Sequence, residues 1–170
     1  MFTINILFVI TFCIRLYTLS ISIRNEKNLI AKGAIQYGKT NSILLSIAHI
    51  VFYFCAIIEA NIRHATITTL SLAGLVILFF AIVMLFVVIN QLKDIWTVKL
   101  YILPEHKIND SFLFKYIRHP NYFLNIIPEL IGLSLLCHAQ TTACYGLPIY
   151  AILLFIRIRQ EEQVMAPLRI

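Results

Sequence analysis

A chain of 170 residues that is 60% hydrophobic and 13% charged, with a mean hydropathy of +0.85, is too apolar for a water-soluble domain, where about a quarter of residues are charged. The net charge of +6 does not point to nucleic acid, because the basic residues sit in short loops between apolar stretches. Composition therefore excludes soluble enzymes and nucleic-acid-binding modules and leaves an integral membrane protein.

A transmembrane helix needs about 20 mostly apolar residues, with ~17–25 as the working range. Four stretches come close: residues 2–23, 42–60, 67–90 and 121–137, while a fifth, 143–156, has 14 residues and is short. The first lacks a basic residue ahead of its apolar run and no small-residue cleavage pattern follows it, so it reads as a membrane helix rather than a signal peptide. Residues 24–41 are too polar to span. The loose helical spacing of Leu29, Ile30, Ala34 and Tyr37 suggests a short interfacial helix ended by Gly38. Trp96 suits an aromatic-belt anchor at the membrane interface.

Twelve of the 14 basic residues fall in the loops after the first and third stretches and in the tail, while Arg63 alone lies on the opposite side and Arg15 lies inside the first stretch. This asymmetry predicts an N-terminus outside and a C-terminus in the cytosol, with five spans. The chain carries no repeat and no Pro/Gly-rich linker. The expected fold is all-α, a polytopic membrane bundle of about five transmembrane helices forming one domain over 1–170, with the motif-bearing part at about 90–165. The four cysteines, Cys13, Cys55, Cys137 and Cys144, have no metal-ligand spacing and read as small apolar filler. No metal is expected.

Two polar clusters stand out: Arg118-His119-Pro120-Asn121-Tyr122 and Arg157-Ile158-Arg159-Gln160-Glu161-Glu162. Polar and charged groups at membrane depth are costly and functional by default. Pro120 is favoured in a first helical turn, so a helix should begin there and present free N–H groups to an anion. Tyr122, Asn125 and Glu129 then form one stripe that faces protein rather than lipid. Glu129 either lines a cavity or bonds to His49 or Arg15. Arg15 lies nine residues before Arg24, about 13 Å along a helix, deep enough to need a structural partner. His49 reads as a packing residue, and His64 and His138 lie towards the outer face. Arg157 and Glu161, four apart, share a helical face at or slightly below the inner interface. An acidic pair at Glu161 and Glu162 suits an ammonium group, leaving Arg157 for an anionic or oxygen-rich acceptor. Arg118 also suits a plain membrane anchor.

With these residues in view, the chain resembles the isoprenylcysteine carboxyl methyltransferase family of integral membrane enzymes. The resemblance rests on Tyr116-Ile117-Arg118-His119-Pro120-Asn121-Tyr122, on Arg157 with Glu161-Glu162, and on His106-Lys107-Ile108. Arg24-Asn25-Glu26-Lys27, the run from Gly33 to Gly38, and Trp96-Thr97 extend it, as in the family's bacterial branch. It implies methyl transfer from S-adenosyl-L-methionine to a carboxylate or hydroxyl of a lipophilic small-molecule or prenylated acceptor entering from the bilayer. The C-terminal helical hairpin and tail would form the cofactor site. Matching residue by residue, His106, Lys107, Ile108 and Asn109 would form an upstream cofactor segment. His119, Pro120, Asn121 and Tyr122, with Glu161 and Glu162, would form the main one. Arg157 would be the substrate-facing arginine, so that Arg157 and Glu161 carry the catalysis. Phe114 departs from the family's usual tyrosine. A bacterial cell membrane suits the short form. Arg-His-Pro-Asn-Tyr alone also resembles a motif of NADPH-dependent membrane sterol reductases, and the inner-face basic residues suit a non-catalytic protein that binds membrane lipid.

Overall fold

A computed structural model describes residues 1–103 and 116–166. Helix α1 (Phe2–Ala31) leads through a turn to strand β1 (Ile35–Tyr37), then α2 (Lys39–Ile62) and α3 (Thr69–Leu92) follow. A 3-10 turn at Lys93–Ile95 precedes β2 (Leu100–Ile102). After it come a π-helical turn at Asn121–Ile126 continuing into α4 (Ile127–Leu136), and then α5 (Gln140–Met165). The protein is a membrane helical bundle. Four helices, α1, α2, α3 and α5, are long and apolar enough to cross a bilayer, and Asn121–Leu136 is a shorter apolar helix.

Four expectations change. The fifth stretch is not short: α5 has 26 residues and stays helical through Pro148, carrying Arg157 and Glu161 on its final turns. No separate interfacial helix occupies 24–41. Instead α1 runs unbroken for 30 residues, about 45 Å, so it outreaches a ~30 Å hydrocarbon core and lifts Arg24 to Ala31 beyond the membrane edge. The chain then turns into β1, which pairs antiparallel with β2 in the register Ile35↔Ile102, Gln36↔Tyr101 and Tyr37↔Leu100. Gly38 starts α2 rather than ending a helix. It holds a left-handed φ of 58° and packs against the Gln160 side chain. Trp96 is also not an interface anchor: it is 3% exposed and packs against Leu85 and Val88.

The closest seam lies between α3 and α4. A Cβ on Gly132 would stand 2.7 Å from the backbone nitrogen of Leu78, and one on Gly74 2.5 Å from that of Leu136. Small residues of this kind let membrane helices touch backbone to backbone. At the end of the bundle away from the basic loops, Glu59 of α2 accepts the Thr141 and Thr142 N–H groups at 2.9 and 2.8 Å, satisfying the first turn of α5. Thr68 and Ser71 form a reciprocal capping box on α3.

Candidate active site

At the basic end of the bundle the two polar clusters meet. His119 Nδ1 lies 3.0 Å from Glu161 Oε2, and the Tyr122 hydroxyl donates to Glu161 Oε1. Arg157 Nε donates to Glu161 Oε1 and to the Tyr122 hydroxyl, both at 3.2 Å. The expectation that Arg157 and Glu161 share a face therefore holds. The His119 and Tyr122 rings stack with centroids 5.8 Å apart.

Helix entry explains how one segment supplies two of these groups. Pro120 stands at the head of the π-helical turn, as its missing N–H favours. The Tyr122 and Phe123 N–H groups both donate to the His119 carbonyl, at 3.1 and 3.2 Å. Those two donors are therefore taken, and the helix end offers fewer open N–H groups than the sequence suggests. The stripe faces inward as expected: Tyr122 is 8% exposed, and Asn125 and Glu129 are fully enclosed.

Arg157 is more engaged than the sequence suggests. Besides Glu161 and Tyr122, its Nη1 donates to Ser42 Oγ at 2.7 Å and its Nη2 to the Val98 carbonyl at 3.1 Å. The Val98 carbonyl is itself held in place, because Ser22 Oγ accepts the Val98 N–H at 2.9 Å. Asn25 donates to the Lys93 and Trp96 carbonyls, each at 2.9 Å. Ser22, Asn25 and Ser42 thus shape the site. Asn25 falls in the Arg24–Lys27 run of the family resemblance, whereas Ser22 and Ser42 carry no motif, and only their position on helices near charged groups would have flagged them.

A cavity of about 220 Å³ opens beside this cluster, enclosed by α1, α2, the π-helical turn and α5. Asn121, Tyr122, Val98 and Arg157 line one end. Its wall includes Leu16, Leu19 and Ile50, each about half exposed at 50%, 42% and 52%, so it opens between α1 and α2 onto the apolar belt. Beyond that opening α1 and α2 are joined by reciprocal Asn5–Asn61 hydrogen bonds at 3.1 Å and by Phe12 set edge-on to Phe54. The deeper end carries Arg15, His49, Tyr53 and Tyr150. There Arg15 meets both Glu129 oxygens at 2.5 Å, and the Tyr53 hydroxyl also donates to Glu129. Arg15 is thus paired, as expected, and Glu129 bonds to it. His49 packs as expected, its ring stacked on Tyr53 with centroids 5.0 Å apart, and it also lines the cavity.

His119 Nε2 is buried without a hydrogen-bond partner among the described residues and stands 3.8 Å from Glu162, whose side chain is 36% exposed. Glu162 is thus the less committed member of the acidic pair. His106, Lys107, Ile108, Asn109 and Phe114 lie outside the described residues. No group of three or more metal-ligating side chains occurs among the described residues.

The model of the isoprenylcysteine carboxyl methyltransferase (ICMT) family matches residues 72–167, a span that contains both clusters. The chain belongs to that family. It is an integral membrane protein of a methyltransferase family, and a match over both clusters favours this resemblance over the reductase one. The chain is 67% identical over 168 residues to an uncharacterized protein of Haemophilus influenzae, covering 99% of this chain and 98% of that one. It is 24% identical over 147 residues to the uncharacterized protein YpbQ of Bacillus subtilis, covering 86% of this chain and 87% of YpbQ. No solved structure matches it.

Proposed function

We propose that this protein transfers the methyl group of S-adenosyl-L-methionine to an oxygen, carboxylate or hydroxyl, of a lipophilic acceptor that enters from the bilayer. The supporting observation is the cavity, apolar along its walls and open between α1 and α2, that ends on Tyr122 and Arg157 where Glu161 and His119 stand. The donor's residues suit the group. Glu161 and Glu162, with the His119 ring between them, Nδ1 towards Glu161 and Nε2 towards Glu162, form a partly exposed acidic face for an ammonium or sulfonium cation. His106 to Asn109 would complete the donor site by family resemblance.

S-adenosyl-L-methionine supplies an activated methyl group. As the new C–O bond forms, the C–S bond breaks and the positive charge on sulfur disappears, so the enzyme has mainly to align the reactants and exclude water. Arg157, lining the cavity end, holds the accepting oxygen as an anion. A carboxylate arrives already ionised. A hydroxyl gives its proton to a nearby base, for which Glu161, Glu162 and His119 are placed. Positive-inside charge favours a cytosolic position for this end of the bundle, on the side where the methyl donor is made. The acceptor is a lipophilic small molecule or a prenylated compound.

Titrating the purified protein with S-adenosylhomocysteine tests the donor assignment. Binding is expected in the wild type and is lost in Glu161→Ala and His119→Ala; unchanged affinity in both variants overturns it. Mass spectrometry of lipids from cells with and without the protein should then show a species heavier by one methylene.

A further inference from the structure

The cavity is polar at both ends, and the two ends share one spacing. Of the lining residues, Ser42 and His49 are seven apart on α2 and Arg157 and Tyr150 on α5, while on α1 Arg15 lines the cavity seven residues from Ser22, which holds Val98. Seven residues are two helical turns to within about 20°, so each pair points the same way, roughly 10 Å apart along its axis. Across the π-helical turn, Tyr122 and Glu129 join the two layers by contact rather than by spacing, the first bonding to Glu161 and the second to Arg15. Between the two polar layers the wall is apolar, with Leu45, Ile126 and Leu154, but for Ser46, whose hydroxyl donates to the Ser42 carbonyl.

The upper layer belongs to the methyl-transfer site. The lower one does more than hold helices together. A structural ion pair needs only Arg15 and Glu129, which already satisfy each other at 2.5 Å. His49 is added to them, its ring lining the cavity, with Nδ1 3.4 Å from the Tyr150 hydroxyl and Nε2, buried without a hydrogen-bond partner among the described residues, turned towards Glu129. Its 3.6 Å approach to Glu129 is too long for a hydrogen bond. The contact of Nδ1 with Tyr150, two residues that both line the cavity, is long as well, so an oxygen entering the cavity can bond there. Because the arginine and glutamate charges cancel, that layer favours an uncharged group over an ion.

We propose that the cavity reads its acceptor at two depths, an inference that rests on the methyl-transfer reading above. Besides the oxygen methylated beside Arg157 and Tyr122, the acceptor carries a second, uncharged oxygen, a hydroxyl or a carbonyl, that hydrogen-bonds to His49 in the lower layer. A purely hydrocarbon tail offers the His49 ring and the Tyr150 hydroxyl no polar partner and is the disfavoured ligand.

The test uses the full chain in lipid nanodiscs, with empty nanodiscs correcting for partition into lipid. The probes are dodecanoic acid and its monohydroxylated isomers, the hydroxyl placed at successive positions along the chain. Equilibrium binding should peak for the isomer whose hydroxyl lies roughly 10 Å from the carboxylate, about tenfold tighter than dodecanoic acid itself. The peak should vanish in His49→Phe and persist in His49→Gln, which keeps a hydrogen-bonding group. A flat profile across the isomers, including one in which none binds, overturns the proposal, as does a peak that survives His49→Phe. S-adenosylhomocysteine titration of the same samples reports the donor site independently. Its failure sinks the methyl-transfer reading while the isomer profile stays interpretable.

Discussion

The α3–α4 seam and the space among α1, α2 and α5 are made from equally oily sequence, yet they are held together by opposite means. Helix α3 has no charged residue between Thr69 and Leu92 and meets α4 through Gly74 and Gly132, backbone against backbone. The other side keeps a cavity and is bridged by Arg15, Glu129, Tyr53, Ser42 and Arg157. Lipid is as apolar as leucine, so apolar contact alone gives membrane helices little reason to associate. One half of the bundle gains its cohesion from close packing and the other from polar bonds, and only the second can leave room for a ligand.

The largest effect should come from the polar half. Glu129→Ala strands Arg15 as an unpaired buried charge and should lower the unfolding free energy by about 3–5 kcal/mol, read by steric trapping in bilayers. A loss below ~1 kcal/mol would mean that lipid or water already solvates Arg15 and that the contrast between the halves is false. Gly132→Leu tests the packed half. It forces side-chain atoms into the α3 backbone and should cost about 1–3 kcal/mol or more in the same assay. Added bulk at the neighbouring, more exposed Ile131, as in Ile131→Phe, should cost little.

Asn25→Ala comes next. It leaves the Lys93 and Trp96 carbonyls without their amide donor, a loss of about 1–3 kcal/mol. Hydrogen exchange at the Val98 amide should quicken, because the loop that presents the Val98 carbonyl to Arg157 then loses one of its anchors on α1 and keeps Ser22 and the Glu26–Lys99 ion pair. The smallest effect lies at the strand pair. Burial and the hydrogen bond to Glu26 push the Tyr101 hydroxyl up to about 12. With the folded value raised above the ordinary 10, the Tyr101–Glu26 bond is fully present below pH ~10 and is lost as pH rises through about 12. A tyrosinate difference spectrum between wild type and Tyr101→Phe should show that late step, and a step near the ordinary value would remove the clasp.

Much of this was legible in sequence because it rests on local rules. Hydropathy marks the apolar stretches, and Pro120 marks a helix start. Four-residue spacing puts Arg157 beside Glu161. Pairing between distant elements was less legible. Nothing in Ile35 to Tyr37 announces a strand until Leu100 to Ile102 lies alongside, and loose helical spacing there misled because α1 needed no second helix. Trp96 misled for a related reason: an indole near a membrane edge suits an interface, and only tertiary packing against Leu85 and Val88 buries it. Arg157 was expected to have open donors. Its partners Ser42 and Val98 come from other elements, and no spacing within one segment predicts them.

The π-helical turn at Asn121–Ile126 carries one more consequence, for which insertions and deletions the chain tolerates. Such a turn holds an extra residue within a helix. Deleting one residue between Tyr122 and Glu129 would restore a regular helix of almost the same length, yet rotate one relative to the other by roughly 100°. Tyr122 would then leave Glu161, or Glu129 would leave Arg15. A lineage that shortens this segment by one residue must therefore rebuild one of the two polar layers.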